Sequence, residues 1–210
     1  VSGDADFTAT LGSIATTPDW HTLLIGGLGK GGRGYYALDV TDTVATSEAD
    51  AAAKVLWEFP NVLTSPTVAA NQGYSYGRPI LTKTAAAGWV VLVASGYNNG
   101  STTGGDGQGH LFVLNARTGA LIRDISTGVG SSGSPSGLAK IGVYAANSKI
   151  NNTTDFVYGG DLQGNVWRFD LTNASPASWS VAKLATLVDN YGSAQSITTD
   201  PQLAEITRGG

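Results

Sequence analysis

The clearest alternation of hydrophobic and polar positions along the chain lies at residues 155–171. Two apolar runs, FVYGG and NVWRFDL, flank a corner made by Asp161-Leu162-Gln163-Gly164. A period-two pattern on both sides of a short glycine-containing corner predicts a β-hairpin. Looser copies lie at residues 22–39 and 89–115, where a glycine-rich loop separates two apolar runs. A recurring hairpin is therefore the main signal in this sequence.

Each hairpin is flanked by one further predicted strand on either side, which gives units of four strands. The predicted strands are 7–16, 22–27, 34–40 and 54–59 in the first unit, 77–84, 88–95, 110–116 and 121–126 in the second, and 138–145, 155–159, 165–171 and 178–187 in the third. Another strand is predicted at 195–206. Repeated four-stranded units are typical of β-propeller blades, in which radial repetition protects the sheet edges.

We therefore predict an all-β chain that forms a partial β-propeller domain of antiparallel four-stranded blades. The predicted blades are 6–60, 77–127 and 138–188, and the first strand of a further blade is predicted at 195–207. Closed propellers have about four to eight blades. Three blades and one strand are too few, and the chain contains no Met, so we expect a piece of a larger ring.

Composition agrees with this fold and excludes several function classes. The 210 residues are 41% hydrophobic and include 29 Gly but 7 Pro, as expected for many short strands joined by tight turns. The net charge is −4 and the basic residues are scattered, which argues against nucleic-acid binding. The absence of Cys excludes disulfides and thiolate metal sites. No apolar run approaches the roughly 18 residues of a membrane span.

The loops and aromatic residues also give expectations. Residues 42–53 are predicted to contain a helical turn, and residues 96–109 a flexible, solvent-exposed hairpin tip. Residues 27–32 contain G-x-G-x-x-G, but a strand follows where phosphate binding needs a helix, so we expect a turn with positive-φ glycines. Three of the five tryptophans, Trp57, Trp167 and Trp179, are expected to pack between blades.

Candidate chemistry is sparse. His21 and His110 are the only histidines, and each is expected to be a surface or hydrogen-bonding residue rather than a catalytic base. The sequence has no G-x-S-x-G elbow, although a triad assembled from distant segments stays open at this point. No residue stands out as a nucleophile.

One loop has the spacing of a calcium site. Oxygen-bearing side chains lie at odd-numbered positions before the third hairpin, at Asn147, Asn151, Thr153 and Asp155. Asn147, Asn151 and Asp155 are the candidate ligands, and Ca²⁺ prefers about six to eight oxygen ligands. Lys149 occupies another position of the same pattern, where its ammonium group would repel the ion. With one carboxylate in the set, we expect calcium to bind weakly or not at all.

Five motifs follow one another along the chain: GGLGKGGRGYYALDVT (26–41), VLWEF (55–59), YGRP (76–79), GYN (96–98) and YGGDLQGNVWRFDL (158–171). In this order they resemble the PilC/PilY family of type IV pilus biogenesis and tip-associated adhesin proteins. The family's calcium loop has the pattern Asp-x-Asp-x-Asn/Asp-x-x-x-Asp. Asp155 matches its last ligand and Asn151 is a plausible match, whereas Asn147 replaces an Asp and Lys149 departs from the pattern.

The resemblance implies part of the C-terminal propeller of a large secreted protein of the cell surface, outer membrane or pilus tip, and thus of the fimbrium. It also implies a role in pilus biogenesis that opposes retraction, together with tip-mediated adhesion. The implied partners are pilins or minor pilins, a host surface ligand and the remaining blades of the same protein.

Two other functions remain open from the sequence. The segment LNARTGALIRDI (114–125) also resembles the quinoprotein dehydrogenase propellers, which hold a quinone and calcium in a complete eight-bladed ring and often carry a vicinal Cys pair. A general sugar- or protein-binding propeller is the other alternative. Since this chain has no Cys and fewer blades, we expect a non-enzymatic protein that works through interaction surfaces.

Overall fold

The computed structural model describes residues 1–7 and 18–204, which form three four-stranded antiparallel sheets. Within each sheet, neighbouring strands follow the order of the chain. The first sheet contains β1 (Ser2–Asp6), β2 (Trp20–Gly27), β3 (Tyr35–Asp39) and β4 (Val55–Phe59). The second contains β5 (Ile80–Thr84), β6 (Gly88–Ala94), β7 (His110–Asn115) and β8 (Leu121–Ser126). The third contains β9 (Lys140–Tyr144), β10 (Phe156–Gly160), β11 (Asn165–Asp170) and β12 (Ser180–Thr186).

The predicted all-β class, with four antiparallel strands per unit, is confirmed. Helices are short: α1 (Glu48–Ala53), α2 (Pro66–Asn71) and a 3-10 helix (Pro176–Ser178). The helix α1 confirms the turn expected in residues 42–53, and the Ser47 side chain caps it by accepting a hydrogen bond from Asp50 N. None of the helices in the described ranges is long and apolar enough to cross a membrane.

Two predicted strands differ from the structure. The first sheet begins with Ser2–Asp6 rather than with residues 7–16, of which 8–16 lie outside the described residues. No strand is present in residues 195–204, because their backbone bonds to the third sheet's own loops; Ile197 N, for example, donates to Asp161 O over 2.9 Å. Residues 205–207 also lie outside the description. The limits of the blades as domain boundaries remain a prediction.

The second sheet is central, and this position explains its sequence. Residues from Val90 to Ala94 on β6 and from His110 to Leu114 on β7 are all buried. One face packs against the first sheet and the other against the third, in two separate apolar clusters. A strand buried on both faces has no solvent side, so its apolar run is continuous instead of alternating.

The flanking sheets show the period-two pattern because only one of their faces is buried. On β11, Trp167 and Phe169 point into the cluster shared with the second sheet, whereas Arg168 and Asp170 are only partly buried on the opposite face. The Arg168 guanidinium lies 5.2 Å from the centre of the Phe156 ring on that face. The alternation of apolar and polar residues that predicts this hairpin therefore results from burial of only one face of the sheet.

Tryptophan side chains join the sheets, as expected. Trp57 on β4 is buried, and its indole N–H donates to Ala116 O of the second sheet over 2.9 Å. Its ring covers Gly119, where a Cβ would lie 2.5 Å from the tryptophan Cγ. Trp167 and Trp179 lie in the cluster between the second and third sheets. The expected packing of these three residues between blades is confirmed.

Candidate functional site

One end of the three sheets is built from the loops between second and third strands and from the connectors between sheets. We call this end the loop face; it comprises residues 28–34, 60–79, 95–109, 127–139 and 161–164. Backbone hydrogen bonds join each connector to the neighbouring loops, as from Gly96 N to Leu138 O (2.7 Å) and from Leu162 N to Ser136 O (2.8 Å). The loop face is therefore a continuous bonded layer rather than a set of separate tips.

The corner of the third hairpin is organised by the buried carboxylate of Asp161, which is 0% exposed. Its Oδ1 accepts hydrogen bonds from the backbone N–H groups of Gln163 and Asn165, both at 2.9 Å. Its Oδ2 accepts from Asn165 Nδ2 at 3.0 Å and from Trp167 Nε1 at 2.8 Å. Gly164 completes the corner with a φ of 79°. The carboxylate thus fixes the corner and the indole ring together.

The glycine-rich loop 96–109 is exposed at Asn98, at 101–102, at Gly104 and at Asp106, as the sequence predicts, but much of the rest of the loop is buried. Asn99 is 0% exposed, and its side-chain amide donates to Asn71 O (3.1 Å) and Gln108 O (2.7 Å). Gly107 is also buried, against the connector 127–139. The expected exposure is therefore found at some positions but not along the whole loop, because the glycines allow two backbones to approach closely, which low sequence complexity does not reveal.

His110 connects this loop to the central sheet. Its Nδ1 lies 2.7 Å from Asp124 Oδ1, and its Nε2 lies 3.1 Å from Asp106 Oδ1. The ring is 3% exposed and stacks on Phe112 at 5.5 Å between centroids. Burial alone would lower the pKa of His110, but the hydrogen bonds and negative charges of Asp124 and Asp106 outweigh burial and raise it.

We expect this histidine to make stability depend on pH. Because the folded pKa of His110 is raised, its stabilisation is complete below the ordinary histidine pKa near 6.5 and is lost as pH rises through the folded pKa. Urea unfolding at a series of pH values should show that the free energy of unfolding declines as pH rises over this range. This decline should be absent in His110→Gln. An equal decline in His110→Gln would contradict this assignment; Asp124→Asn serves as a second test of the pair.

A polar cleft of about 260 Å³ opens in the loop face beside the loop 28–34. We call it the Arg33 cleft; its lining includes Arg33, Tyr74, Asn98, Ser101, Thr102 and Ser132. The Arg33 guanidinium lies 5.0 Å from the centre of the Tyr74 ring, and its Nη2 donates to Thr102 Oγ1 over 3.4 Å. Asn98 adopts a φ of 60°. The cleft thus presents a cation held by an aromatic ring among hydroxyl and amide groups.

The glycine motif at residues 27–32 forms a turn and not a phosphate loop. Gly29 has a φ of 59°, and Lys30 is exposed on the rim. The strand β3 follows at Tyr35, so no helix N-terminus faces the glycines. The expected turn is confirmed.

The predicted metal ligands lie in the loop between β9 and β10, at the opposite end of the sheets. Asn147 O accepts from Asn151 N over 3.1 Å, which forms a single turn. Asn151 Oδ1 accepts from Thr153 N (3.2 Å), and Asp155 Oδ2 accepts from Ala146 N (2.7 Å). The structure brings the three residues into one loop, but protein N–H groups already bond two of their side-chain oxygens.

The predicted ligand set offers a calcium ion little negative charge. Asp155 supplies the one carboxylate of the predicted set, and the exposed Lys149 belongs to the same turn. In the described ranges 1–7 and 18–204, no group of three or more His, Cys, Asp and Glu side chains is arranged to hold a metal. Ca²⁺ needs about six to eight oxygens with enough negative charge to replace its hydration.

His21 forms the other histidine–carboxylate arrangement, in a cleft that it lines together with Asp50 and Ala53 of α1. Its Nδ1 lies 2.6 Å from Asp39 Oδ2 and its Nε2 lies 3.1 Å from Asp19 Oδ1. Burial alone would raise the pKa of Asp39, but hydrogen bonds from Thr41 and His21 outweigh it and lower that pKa. Since both nitrogens of the ring face carboxylates, neither takes the place of a base beside a serine nucleophile.

Comparisons of the sequence with known protein families and with individual proteins agree on one family. The family model described as the PilY1 beta-propeller domain matches residues 5–208. The type IV pilus biogenesis factor PilY1 of Pseudomonas aeruginosa is 34% identical over 204 residues, which cover 88% of this chain and 16% of that protein. A PilY1 homolog of Xylella fastidiosa is 32% identical over 185 residues, covering 84% of this chain and 12% of that protein.

A solved structure agrees in fold. The crystal structure of the Pseudomonas aeruginosa PilY1 C-terminal domain superposes with a TM-score of 0.73 at 32% identity, covering 97% of this chain and 40% of that one. The three sheets therefore correspond to part of a β-propeller, as the repeat predicts. The chain spans less than one fifth of the length of the curated relatives described above.

Proposed function

The chain belongs to the PilY1 β-propeller domain family, and from this membership we propose that it forms part of a type IV pilus biogenesis factor and acts without catalysis. The observation that supports this most is the match of one family across residues 5–208, together with relatives named as pilus biogenesis factors. The engagement of both histidine rings by carboxylates agrees with a non-catalytic role.

We propose that the partners are pilins or minor pilins and the remaining blades of the same protein, with adhesion to a host surface ligand as a further role. Apolar side chains on the outward face of the first sheet favour a covering blade. Leu24 and Val55 are 37% and 48% exposed there, and Leu38 lies opposite both in the strand register. Such a location requires secretion to the cell surface, the outer membrane or the pilus tip.

The number of pili on the cells that produce this protein tests the role in biogenesis. Deleting the codons for these residues from the full-length gene should reduce surface pili in cells with an active retraction motor. Pili should return when the motor is also removed, because the proposed role is to oppose retraction. Normal piliation with the motor active would contradict the proposal, and immunoblotting must show that the shortened protein is still made.

The dehydrogenase alternative has a direct assay. We expect no dye reduction when the full-length protein is incubated with pyrroloquinoline quinone, calcium and an alcohol. A known quinoprotein dehydrogenase serves as the positive control for the reagents. Quinone-dependent turnover would overturn the non-enzymatic proposal.

We further propose that the loop containing Asn147, Asn151 and Asp155 keeps its shape without calcium. Calorimetric titration should show weak or no binding, because Lys149 opposes the charge of the single carboxylate. The double variant Asn147→Asp, Lys149→Asp should gain affinity, since it removes the ammonium group and places three carboxylates in the loop. A micromolar dissociation constant for the native chain would contradict the proposal, and so would an unchanged affinity in the double variant.

A further inference from the structure

The Arg33 cleft has the chemistry of a binding site for a small anion-bearing ligand. Arg33 is the one charged side chain that the structure places in its lining, and the other lining groups are hydroxyls, an amide, glycines and the faces of Tyr74 and Pro135. The chain as a whole carries a net charge of −4. A positive group in an otherwise neutral depression therefore contrasts with the rest of the surface and favours an anion.

Arg33 is oriented but not neutralised. The ring of Tyr74 supports the guanidinium, and the bond to Thr102 Oγ1 uses one of its five N–H donors. None of the ion pairs formed within residues 1–7 and 18–204 includes Arg33. A planar guanidinium with free donors matches a carboxylate in a bidentate arrangement.

The rest of the lining distinguishes between ligand classes. Ser101, Thr102 and Ser132 are exposed and offer hydroxyl groups that both donate and accept. The backbone of the rim is already paired, as Ser101 N donates to Ser132 O over 2.7 Å. An extended peptide that binds by main-chain hydrogen bonds, as in strand addition, finds few partners here. A polyhydroxylated ligand finds several.

The backbone of Asn98 is a second observation that favours a ligand site at this rim. It is one of two non-glycine residues with a positive φ in the described chain, and it lines the cleft with an exposed side chain. Non-glycine residues with such backbone conformations are found at ligand sites more often than elsewhere.

We propose that the Arg33 cleft binds a carboxylate-bearing sugar, such as a uronic acid unit of an acidic glycan. The carboxylate pairs with the guanidinium of Arg33, and the sugar hydroxyls bond to the side chains of Ser101, Thr102 and Asn98. The sugar ring of the ligand lies near Pro135 and Tyr74. This inference does not depend on the role in pilus biogenesis, so failure of either leaves the other standing.

Calorimetry with the full chain and a short oligogalacturonate tests the proposal. We expect a dissociation constant of about 1 mM, as suits a shallow site with few contacts. Arg33→Gln should weaken binding by about tenfold or more, and Arg33→Lys by less, because lysine keeps the charge but not the planar fork. Arg78→Gln, which removes an exposed arginine outside the cleft, should leave affinity unchanged.

Two further ligands test separately whether the carboxylate and the sugar of the oligogalacturonate contribute to binding. The carboxyl-reduced neutral oligosaccharide should bind at least about tenfold more weakly than the acid, and a short polyglutamate peptide should bind more weakly than the oligogalacturonate. No binding of oligogalacturonate, equal binding by Arg33→Gln, or equal binding of the peptide would each overturn the proposal. Thermal unfolding of each variant verifies that the fold is retained.

Discussion

Replacing Asp161 with alanine should lower the free energy of unfolding by about 4 kcal/mol. The substitution removes the acceptor of the backbone N–H groups of Gln163 and Asn165, of the Asn165 amide and of the Trp167 indole. These donors lie in a corner where Asp161 is fully buried, so water does not readily replace the carboxylate. Asp161→Asn should cost less than Asp161→Ala because one acceptor oxygen remains. Its NH2 group, placed at the Oδ2 position, would still face the two donors Asn165 Nδ2 and Trp167 Nε1.

Asp189 provides a matched control for this prediction. Its Oδ1 accepts from Tyr191 N (2.8 Å) and Ser193 N (2.9 Å) in a similar turn, but the residue is exposed. Because water can replace the lost acceptor, Asp189→Ala should cost about 1 kcal/mol or less. Urea unfolding followed by circular dichroism measures all three variants. Equal effects of Asp161→Ala and Asp189→Ala would show that burial of the carboxylate is not what stabilises the corner.

The hairpin containing Asp161 could be predicted from sequence because its sheet is buried on one face. Trp167 and Phe169 alternate with Arg168 and Asp170, so the pattern reports burial directly. The central strands could be predicted from their continuous apolar runs bounded by glycine-rich segments. These patterns do not show which residues form the first strand of the first sheet. The strand β1 is short, carries two aspartates and has a single buried residue, so it has no clear apolar alternation.

The contacts of His110 could not be predicted from sequence for a different reason. In the register of β7 and β8, His110 lies opposite Ser126 and Phe112 lies opposite Asp124, so the histidine meets Asp124 diagonally. The other partner, Asp106, reaches the ring only because the glycine-rich loop folds back onto the sheet. The strand register and the path of the loop are set by tertiary packing. The alternation of apolar and polar residues along β7 and β8 would be the same for another register, so it does not predict which carboxylate contacts His110.

The Arg33 cleft shows the same limit. The sequence predicts the turn at residues 27–32 beside Arg33, but the other lining residues of the cleft come from three segments that are distant in the chain, at Tyr74, 98–102 and 132–135. Tyr74 lies in a connector after α2, and Ser132 in the connector before the third sheet. The repeat predicts that these segments share one end of the domain, but it does not predict that the Tyr74 ring and the Thr102 hydroxyl contact Arg33 there.

Gly107→Ala should be the second strongly destabilising substitution, and Gly104→Ala its control. Both glycines have a φ of 76°, so alanine at either position adopts the left-handed region at a cost of about 1 kcal/mol. At Gly104 nothing lies within 4 Å of an added Cβ. At Gly107 the Cβ would fall on the carbonyl oxygen of Ser131, and displacement of the connector adds about 1–3 kcal/mol.

The difference between these two variants isolates close packing from backbone strain. Gly107 O also accepts from Ser136 N over 2.8 Å, so movement of Gly107 disturbs the connector that carries Ser132 into the Arg33 cleft. We therefore expect Gly107→Ala to lower the midpoint of urea unfolding well below that of Gly104→Ala. Equal midpoints would mean that the loop 96–109 shifts freely, as its composition suggests, and that the loop face is not the bonded layer on which the shape of the cleft depends.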